Sequence, residues 1–117
     1  MSDYIRPSGR TTVSPGVLMT IARMAALGVP GVSAVGRPIF TRDGFSRGRM
    51  KTGVHLASQD ELVTGDMYLV IKAGLNVREV CRDVQQQVAR ALQEMTGMTV
   101  ARLDIHVEDI EYEGAEA

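Results

Sequence analysis

Residues 75–111, LNVREVCRDVQQQVARALQEMTGMTVARLDIHVEDIE, decide the fold, because they contain the signals for a helix, a turn and a strand. Asn76 is a residue type that caps helices, and Glu79 stands where it can complete a capping box. Gly97 is suited to the left-handed conformation that ends many helices. Between them, apolar residues recur at helical spacing: Val77, Val80, Cys81, Val84, Val88, Ala91, Leu92 and Met95. The stretch therefore begins with a predicted amphipathic helix.

After Gly97 the pattern changes to alternation, which is typical of a strand with one buried side. The apolar positions are Ala101, Leu103, Ile105 and Val107, and the polar positions are Arg102, Asp104, His106 and Glu108. A helix followed by a half-buried strand requires a sheet against which both can pack. The preceding residues are expected to supply that sheet and a second helix.

The whole chain has 117 residues, enough for one domain with a real core but not for two. Its net charge of −1 predicts neither a nucleic-acid binder nor a membrane binder. The single cysteine allows no disulfide within the chain, which indicates a reducing, cytoplasmic setting. No apolar run has the length of a signal peptide or a membrane span, so we expect no direct membrane insertion.

A first helix is predicted to begin at the Ser14–Pro15 pair and to end near Leu27, with Gly28 as its stop. We expect its core-facing side to carry Val17, Leu18, Ile21, Met24 and Ala25. The opposite side holds Met19, Ala26 and Leu27, with Thr20 and Arg23 as its polar members. A helix that is apolar nearly all round is buried or faces a partner. The candidate surface for a partner or for self-association is Met19, Arg23 and Leu27. The alternative is that the N-terminal arm or the central loop covers this side.

The central residues, 36–48, are predicted to form a loop that follows a short strand at 32–35. This segment and its continuation carry a surplus of cations over a single acid, Asp43: Arg37, Arg42, Arg47, Arg49 and Lys51. Such a segment can bind an anion such as phosphate. A nucleic-acid-binding module using residues 37–51 is therefore an alternative function. A solvated loop without a ligand is the other interpretation.

A hairpin is predicted next, with one face turned inward. Its inward positions are Met50, Thr52, Val54 and Leu56 on the first strand and Met67, Leu69, Ile71 and Ala73 on the second. The predicted fold class is α+β, a two-layer sandwich of a mixed or antiparallel sheet of four to five strands with two helices on one face, in a ferredoxin-like, split βαβ variant. We expect a flexible arm at residues 1–9, one domain at 10–112 and an acidic tail at 113–117.

No catalytic set of residues emerges, so the sequence predicts a protein that is not an enzyme and needs no cofactor. His55 and His106 fall on the outward side of their strands and could form a metal site with Asp104, but two histidines on a polar sheet face are far more often plain surface residues, so no metal site is predicted. Cys81 lies on the apolar stripe and is interpreted as a small core residue.

The charges are polarised along the chain. The acidic end contains Asp104, Glu108, Asp109, Glu111, Glu113 and Glu116, and it follows the basic central segment. Attraction of this kind can join copies head to tail.

The order of these motifs resembles the alkaline shock protein family, a family of envelope stress response proteins of Gram-positive and related bacteria. The resemblance spans residues 10–112 and includes the segments VSPGVLMTIARMAALGVPGVSAVG and MYLVIKAGLNVREV. Its most specific matches are Ile21–Ala22, Gly31–Val32, Asn76–Val77 and Thr96–Gly97, with Val88 and Leu92 in the second helix.

The resemblance implies a non-enzymatic cytoplasmic protein that acts as a scaffold or adaptor. Family members are associated with stress at the cell envelope. Some bind a membrane-anchored protein partner, which places them at the membrane periphery, and some self-assemble into homo-oligomers. No catalytic residue is carried over from the family to this chain.

Overall fold

The computed structural model describes residues 8–41, 44–51 and 53–112. Most of the predicted arm, the predicted acidic tail and Arg42 lie outside these ranges. Two helices and six strands follow one another in the order α1 (Pro15–Leu27), β1 (Val32–Val35), β2 (Arg37–Thr41), β3 (Gly44–Lys51), β4 (Val54–Gln59), β5 (Leu62–Lys72), α2 (Val77–Thr96) and β6 (Thr99–Glu111).

The main sheet has four strands and is mixed. β1 and β4 both pair antiparallel with β5, and β6 pairs parallel with β5 along its whole length. Because β6 occupies one edge of β5, β1 and β4 share the other edge as two halves of one border strand. The predicted α+β class with a mixed sheet and two helices on one face is confirmed.

Both helices begin and end at the residues that the sequence predicts. In α1, Ser14 caps the helix, and its hydroxyl accepts a hydrogen bond from the backbone N–H of Val17. In α2, the Asn76 side chain accepts from the backbone N–H of Glu79 at 3.2 Å. Gly97 ends α2 with φ of 78°, a left-handed conformation that glycine adopts without strain.

The core lies between the helix layer and the inner face of the sheet. α2 contributes Val80, Val84, Val88 and Leu92, as its apolar periodicity predicts, and β5 contributes Val63, Met67, Leu69 and Ile71. One member of the predicted stripe differs, since Met95 is 69% exposed in the last turn of α2.

The alternation in β6 is interrupted by two register shifts against β5, one between Val100 and Arg102 and one between Val107 and Asp109. Each shift adds one residue to β6, so the side chains that face the helices change between even-numbered and odd-numbered positions. Ala101, predicted to be buried, is exposed at the first shift, and the second shift allows Ile110 to pack against the core. Leu103 and Ile105 face inward as predicted, but Val107 remains 36% exposed.

The predicted loop at residues 36–48 is wrong. β2 and β3 form a separate two-stranded antiparallel ribbon that leaves the border of the main sheet between β1 and β4. The predicted hairpin is formed by β4 and β5, which are joined by a two-residue turn at Asp60–Glu61. Met50 belongs to the ribbon, not to the first strand of that hairpin. Thr52 lies outside the described residues.

Candidate functional site

The surface of α1 that faces away from the core differs from the predicted one. Ala22 and Ala26 are completely buried, and Met19 packs against the core. Val17 and Met24, predicted to face the core, are 48% and 67% exposed. The buried side is therefore turned by about a quarter of a helical turn from the predicted side. Small alanines on the buried side allow α1 to approach its neighbours closely, which a ranking by side-chain hydrophobicity does not reveal.

Of the three residues predicted to form the partner surface, only Leu27 is exposed, at 47%. Arg23 is half-buried, and its Nη1 atom donates a hydrogen bond to the Val35 carbonyl oxygen at 3.2 Å. This bond attaches α1 to the end of β1. Met19 and Arg23 therefore contribute to the fold while staying partly exposed, and the more exposed apolar residues of the helix lie on another line.

That surface is a line of four residues, called the α1 stripe: Val17, Thr20, Met24 and Leu27. Their spacing of three, four and three residues is that of a coiled-coil seam. The hydroxyl of Thr20 donates to the Gly16 carbonyl oxygen at 3.0 Å, so its hydrogen is already bonded within the helix. The stripe carries no charge, so a partner can cover it without desolvating a charged side chain of the stripe.

Beside the stripe lies a shallow depression of about 420 Å³, between the end of α1 and the middle of α2. Its lining residues are Met24, Ala25, Gly28, Val29, Pro30, Asp83 and Gln87. Met24 is shared by the stripe and the depression, so a side chain that packs on the stripe can extend into this space.

The predicted anion-binding residues lie on the ribbon. Arg37 is the register partner of Lys51 at its base, and Arg47 and Arg49 belong to β3. Arg42 lies outside the described residues.

The outer face of the sheet brings both histidines close to Tyr68. The ring of His106 stacks on Tyr68 with centroids 4.7 Å apart, and the ring of His55 meets Tyr68 edge-on at 6.1 Å. His106 also lies 3.0 Å from Asp66, measured from Nε2 to Oδ1. Because β5 separates β4 from β6, Tyr68 stands between the two histidines. Within the described ranges, no three histidine, cysteine or acidic side chains are grouped closely enough to hold a metal ion.

Cys81 lies on the edge of the buried side of α2. Burial raises the pKa of its thiol, because a thiolate would lose hydration there. The raised pKa opposes nucleophilic chemistry at neutral pH. In the part of the chain that the structure describes, neither helix has the length and apolar character needed to cross a bilayer.

Comparison with known proteins identifies sequence relatives of this chain. A family model of the alkaline shock protein 23 family, described as having a cell envelope-related function, matches residues 5–112. The uncharacterized protein Spy1535 of Streptococcus pyogenes serotype M6 is 30% identical over 110 residues, which cover 93% of this chain and 82% of that protein. The uncharacterized protein YqhY of Bacillus subtilis strain 168 is 27% identical over 107 residues, covering 90% and 79%. The family resemblance seen in the sequence is confirmed.

Solved structures resemble the fold at low sequence identity. A MamM CTD variant has a TM-score of 0.58 at 18% identity, covering 82% of this chain and 95% of that chain. A zinc form of another MamM CTD variant has a TM-score of 0.57 at 17% identity, covering 82% and 86%. These similarities concern the arrangement of helices and strands alone.

Sequence reasoning missed Val17 and Met24 as surface residues. A signal for them is present, since positions 17, 20, 24 and 27 follow a heptad spacing. Alanines four residues apart, Ala22 and Ala26, also indicate a closely packed side of a helix. The exposed border of the sheet along β6 left no comparable signal, because strand order depends on pairing between distant segments.

Proposed function

Because this chain belongs to the alkaline shock protein 23 family, whose described function concerns the cell envelope, we propose that it is a non-enzymatic, self-associating scaffold of the envelope. The observation that carries this proposal is the α1 stripe, which leaves three large apolar side chains 47–67% exposed in one line along the helix. Exposed apolar surface of this kind marks interaction sites in folded proteins.

A second copy of the chain is the occupant that the stripe fits best. In an antiparallel pair of α1 helices, Val17 would face Leu27 of the second copy, and Thr20 would face Met24. The stripe is uncharged along its length, so two identical copies meet without repulsion. The depression beside Met24 has room for part of an incoming side chain. A membrane-anchored protein partner would then hold the assembly on the cytoplasmic side of the membrane, as the family resemblance implies.

The experiment compares the light-scattering mass of the wild-type protein with that of the double variant Met24→Glu/Leu27→Glu. Placing four carboxylates in each pair of stripes should lower the mass, while circular dichroism and the melting temperature stay close to those of the wild type. The matched control is Gln59→Glu/Gln86→Glu, which adds the same charge at two exposed positions outside the stripe.

The control should keep the wild-type mass. An unchanged mass in the Met24→Glu/Leu27→Glu variant would show that the stripe does not join copies. A wild-type protein that is monomeric at all concentrations would remove self-association altogether.

A second function, nucleic-acid binding, is favoured by the form of the basic segment. The cations of residues 37–51 belong to a two-stranded ribbon, and a ribbon of this kind fits into the major groove of DNA. Binding of labelled duplex at low salt, lost steeply as salt rises and weakened by Arg47→Gln/Arg49→Gln, would support this function. Absence of binding at low salt would exclude it.

A further inference from the structure

The ribbon of β2 and β3 stands apart from the rest of the fold. Its two strands form a sheet of their own, and in the part of the chain that the structure describes they pack mainly against each other. A two-stranded ribbon is marginally stable in water, because it has no second layer against which to bury apolar side chains. The ribbon is therefore a candidate for contact with a surface outside the chain.

Both phenylalanines of the chain lie near the outer end of this ribbon. Phe40 is the register partner of Phe45, and the last described pair beyond them is Thr41 with Gly44. Directly opposite residues of an antiparallel pair belong to the same face. A buried phenylalanine removes about 150–250 Å² from water, so the pair favours contact with an apolar medium.

The positive charge of the ribbon lies between the phenylalanines and the main sheet. Along β3, Phe45 is followed at intervals of two residues by Arg47, Arg49 and Lys51, and Arg37 is the register partner of Lys51 at the base. At about 3.3 Å per residue, positions 47 and 49 are roughly 7 and 13 Å from position 45 along an extended strand. An aromatic pair is thus followed by a band of cations.

We propose that the ribbon binds directly to an anionic lipid surface. Phe40 and Phe45 enter the boundary between the headgroups and the acyl chains, and Arg47 and Arg49 bind lipid phosphates. Each headgroup layer of a bilayer is roughly 5–8 Å thick, so cations at the distances above lie at the phosphate level and just outside it. Aromatic side chains are favoured at this boundary, and anionic lipids attract basic residues. The ribbon stays in the interface and does not cross the bilayer.

The charge distribution of the chain orients the ribbon towards such a surface. Residues 37–51 contain five cations and one acid, a net charge of +4, so with −1 for the whole chain the remaining residues carry −5. An anionic surface therefore attracts the ribbon and repels the rest of the molecule, over about 8–10 Å at moderate salt.

Two other occupants of the ribbon fit less well. Strand addition by a second copy needs a regular edge, but residues 46–49 of β3 stand against Ile39 alone, and irregular pairing opposes the addition of a strand. The major groove of DNA can receive a ribbon, but it offers little apolar surface to two phenylalanines. A bilayer provides both phosphate and hydrocarbon.

Lipid binding by the ribbon does not require the α1 stripe or self-association. Self-association would bring several ribbons to one membrane, which strengthens binding through avidity. The Met24→Glu/Leu27→Glu variant separates the two properties, because its ribbon is unchanged. This variant should still bind anionic vesicles when its light-scattering mass is that of a monomer.

The first test measures flotation of the full-length protein with vesicles at low salt. Vesicles of equal parts phosphatidylglycerol and phosphatidylcholine should bind the wild type much more tightly than vesicles of phosphatidylcholine alone, and added salt should release it. Arg47→Gln/Arg49→Gln should weaken binding about 25-fold, which is about fivefold for each cation. The matched control Arg78→Gln/Arg82→Gln removes two cations of exposed residues on α2 and should bind as the wild type does.

The contribution of the phenylalanines is measured separately. Phe40→Ser/Phe45→Ser should weaken binding to the anionic vesicles about tenfold or more, because the apolar part of the contact is lost. Its circular dichroism spectrum and melting temperature should match those of the wild type, since the ribbon lies outside the core. The matched control Leu62→Ser/Met95→Ser removes two apolar side chains that are 47% and 69% exposed elsewhere, and it should bind normally.

A fluorescent reporter shows whether the ribbon reaches the acyl chains. The chain contains no tryptophan, so Phe45→Trp supplies a single indole. Its emission should shift to shorter wavelength on anionic vesicles and be quenched by lipids with brominated acyl chains. Met95→Trp on α2 is the matched reporter and should show neither change.

Equal flotation with neutral and anionic vesicles would overturn the proposal, as would unchanged binding by Phe40→Ser/Phe45→Ser or an unshifted emission of Phe45→Trp. Binding of labelled duplex DNA at low salt without any flotation would place the ribbon on nucleic acid and would also overturn it. A monomeric wild type that floats with anionic vesicles would remove self-association and support lipid binding.

Discussion

Gly53 lies so close to Gly36 that a Cβ atom on Gly53 would be 2.3 Å from the Gly36 backbone nitrogen. These two glycines are the points where the ribbon leaves and rejoins the border of the sheet. Tyr68 connects them, since its carbonyl oxygen accepts a hydrogen bond from the Gly36 N–H at 2.7 Å and its N–H donates to the Gly53 carbonyl oxygen at 2.8 Å. The border strand is thus interrupted by the ribbon without leaving the backbone of β5 unpaired.

Replacing Gly53 with alanine should destabilise the protein by about 1–3 kcal/mol, because the atoms that the new methyl group meets are backbone atoms that cannot rotate away. The matched control is Gly16→Ala, where the nearest atom to the new Cβ is the Ser14 hydroxyl oxygen at 3.8 Å. Urea unfolding should show no loss of stability in the control. Equal stability of Gly53→Ala and the wild type would contradict the close approach of the two backbones.

The methionines of α1 should respond differently to truncation. Met19→Ala removes a side chain that packs against the core and should cost about 2 kcal/mol of unfolding free energy. Met24→Ala removes a side chain that is 67% exposed and should change the stability by no more than about 0.5 kcal/mol. Thermal unfolding at low protein concentration measures both. A larger loss of stability in Met24→Ala than in Met19→Ala would mean that α1 buries the side that the sequence pattern predicts.

A similar pair on α2 tests the limit of its apolar stripe. Leu92 is completely buried, and Leu92→Ala should cost about 2–5 kcal/mol. Met95→Ala, one turn later in the exposed last turn, should be close to neutral. Chemical denaturation of the two variants separates them. A large loss in Met95→Ala would mean that its side chain is covered in solution.

The thiol of Cys81 should react slowly with iodoacetamide at neutral pH, because burial raises its pKa and the thiolate is the reactive form. The raised pKa also affects stability. The unfolded chain loses the thiol proton at lower pH than the folded protein, so stability from this group is complete below the unfolded pKa and is lost as the pH rises through the folded pKa. Cys81→Ala should therefore reduce the fall in melting temperature on the alkaline side. Alkylation as fast as that of an unstructured cysteine peptide would contradict this account.

Features that depend on neighbouring residues were predictable. Ser14 and Asn76 cap their helices, Gly97 ends α2, and the buried side of α2 follows its periodicity, because each of these depends on a few consecutive positions. The hairpin of β4 and β5 follows from two alternating segments and a polar turn. The family match rests on the same local patterns.

The candidate site was less predictable than the fold. Leu27 was correctly placed on the surface, but Met19 and Arg23 are partly buried, and Val17 and Met24 are more exposed than predicted. The helix is apolar on almost every side, so its sequence contains little information about which side is buried. The basic segment lacks a regular apolar pattern, and its pairing as a ribbon was not visible in the sequence.

The sequence by itself determined the two helices and their ends, the β4–β5 hairpin, the α+β class and the family, because hydrogen bonding and side-chain periodicity act over a few residues. Only the tertiary structure decided the orientation of α1, the exit of the ribbon between Gly36 and Gly53, and the position of β6 at an open border. Each of these results from packing or pairing between segments that are far apart in the chain.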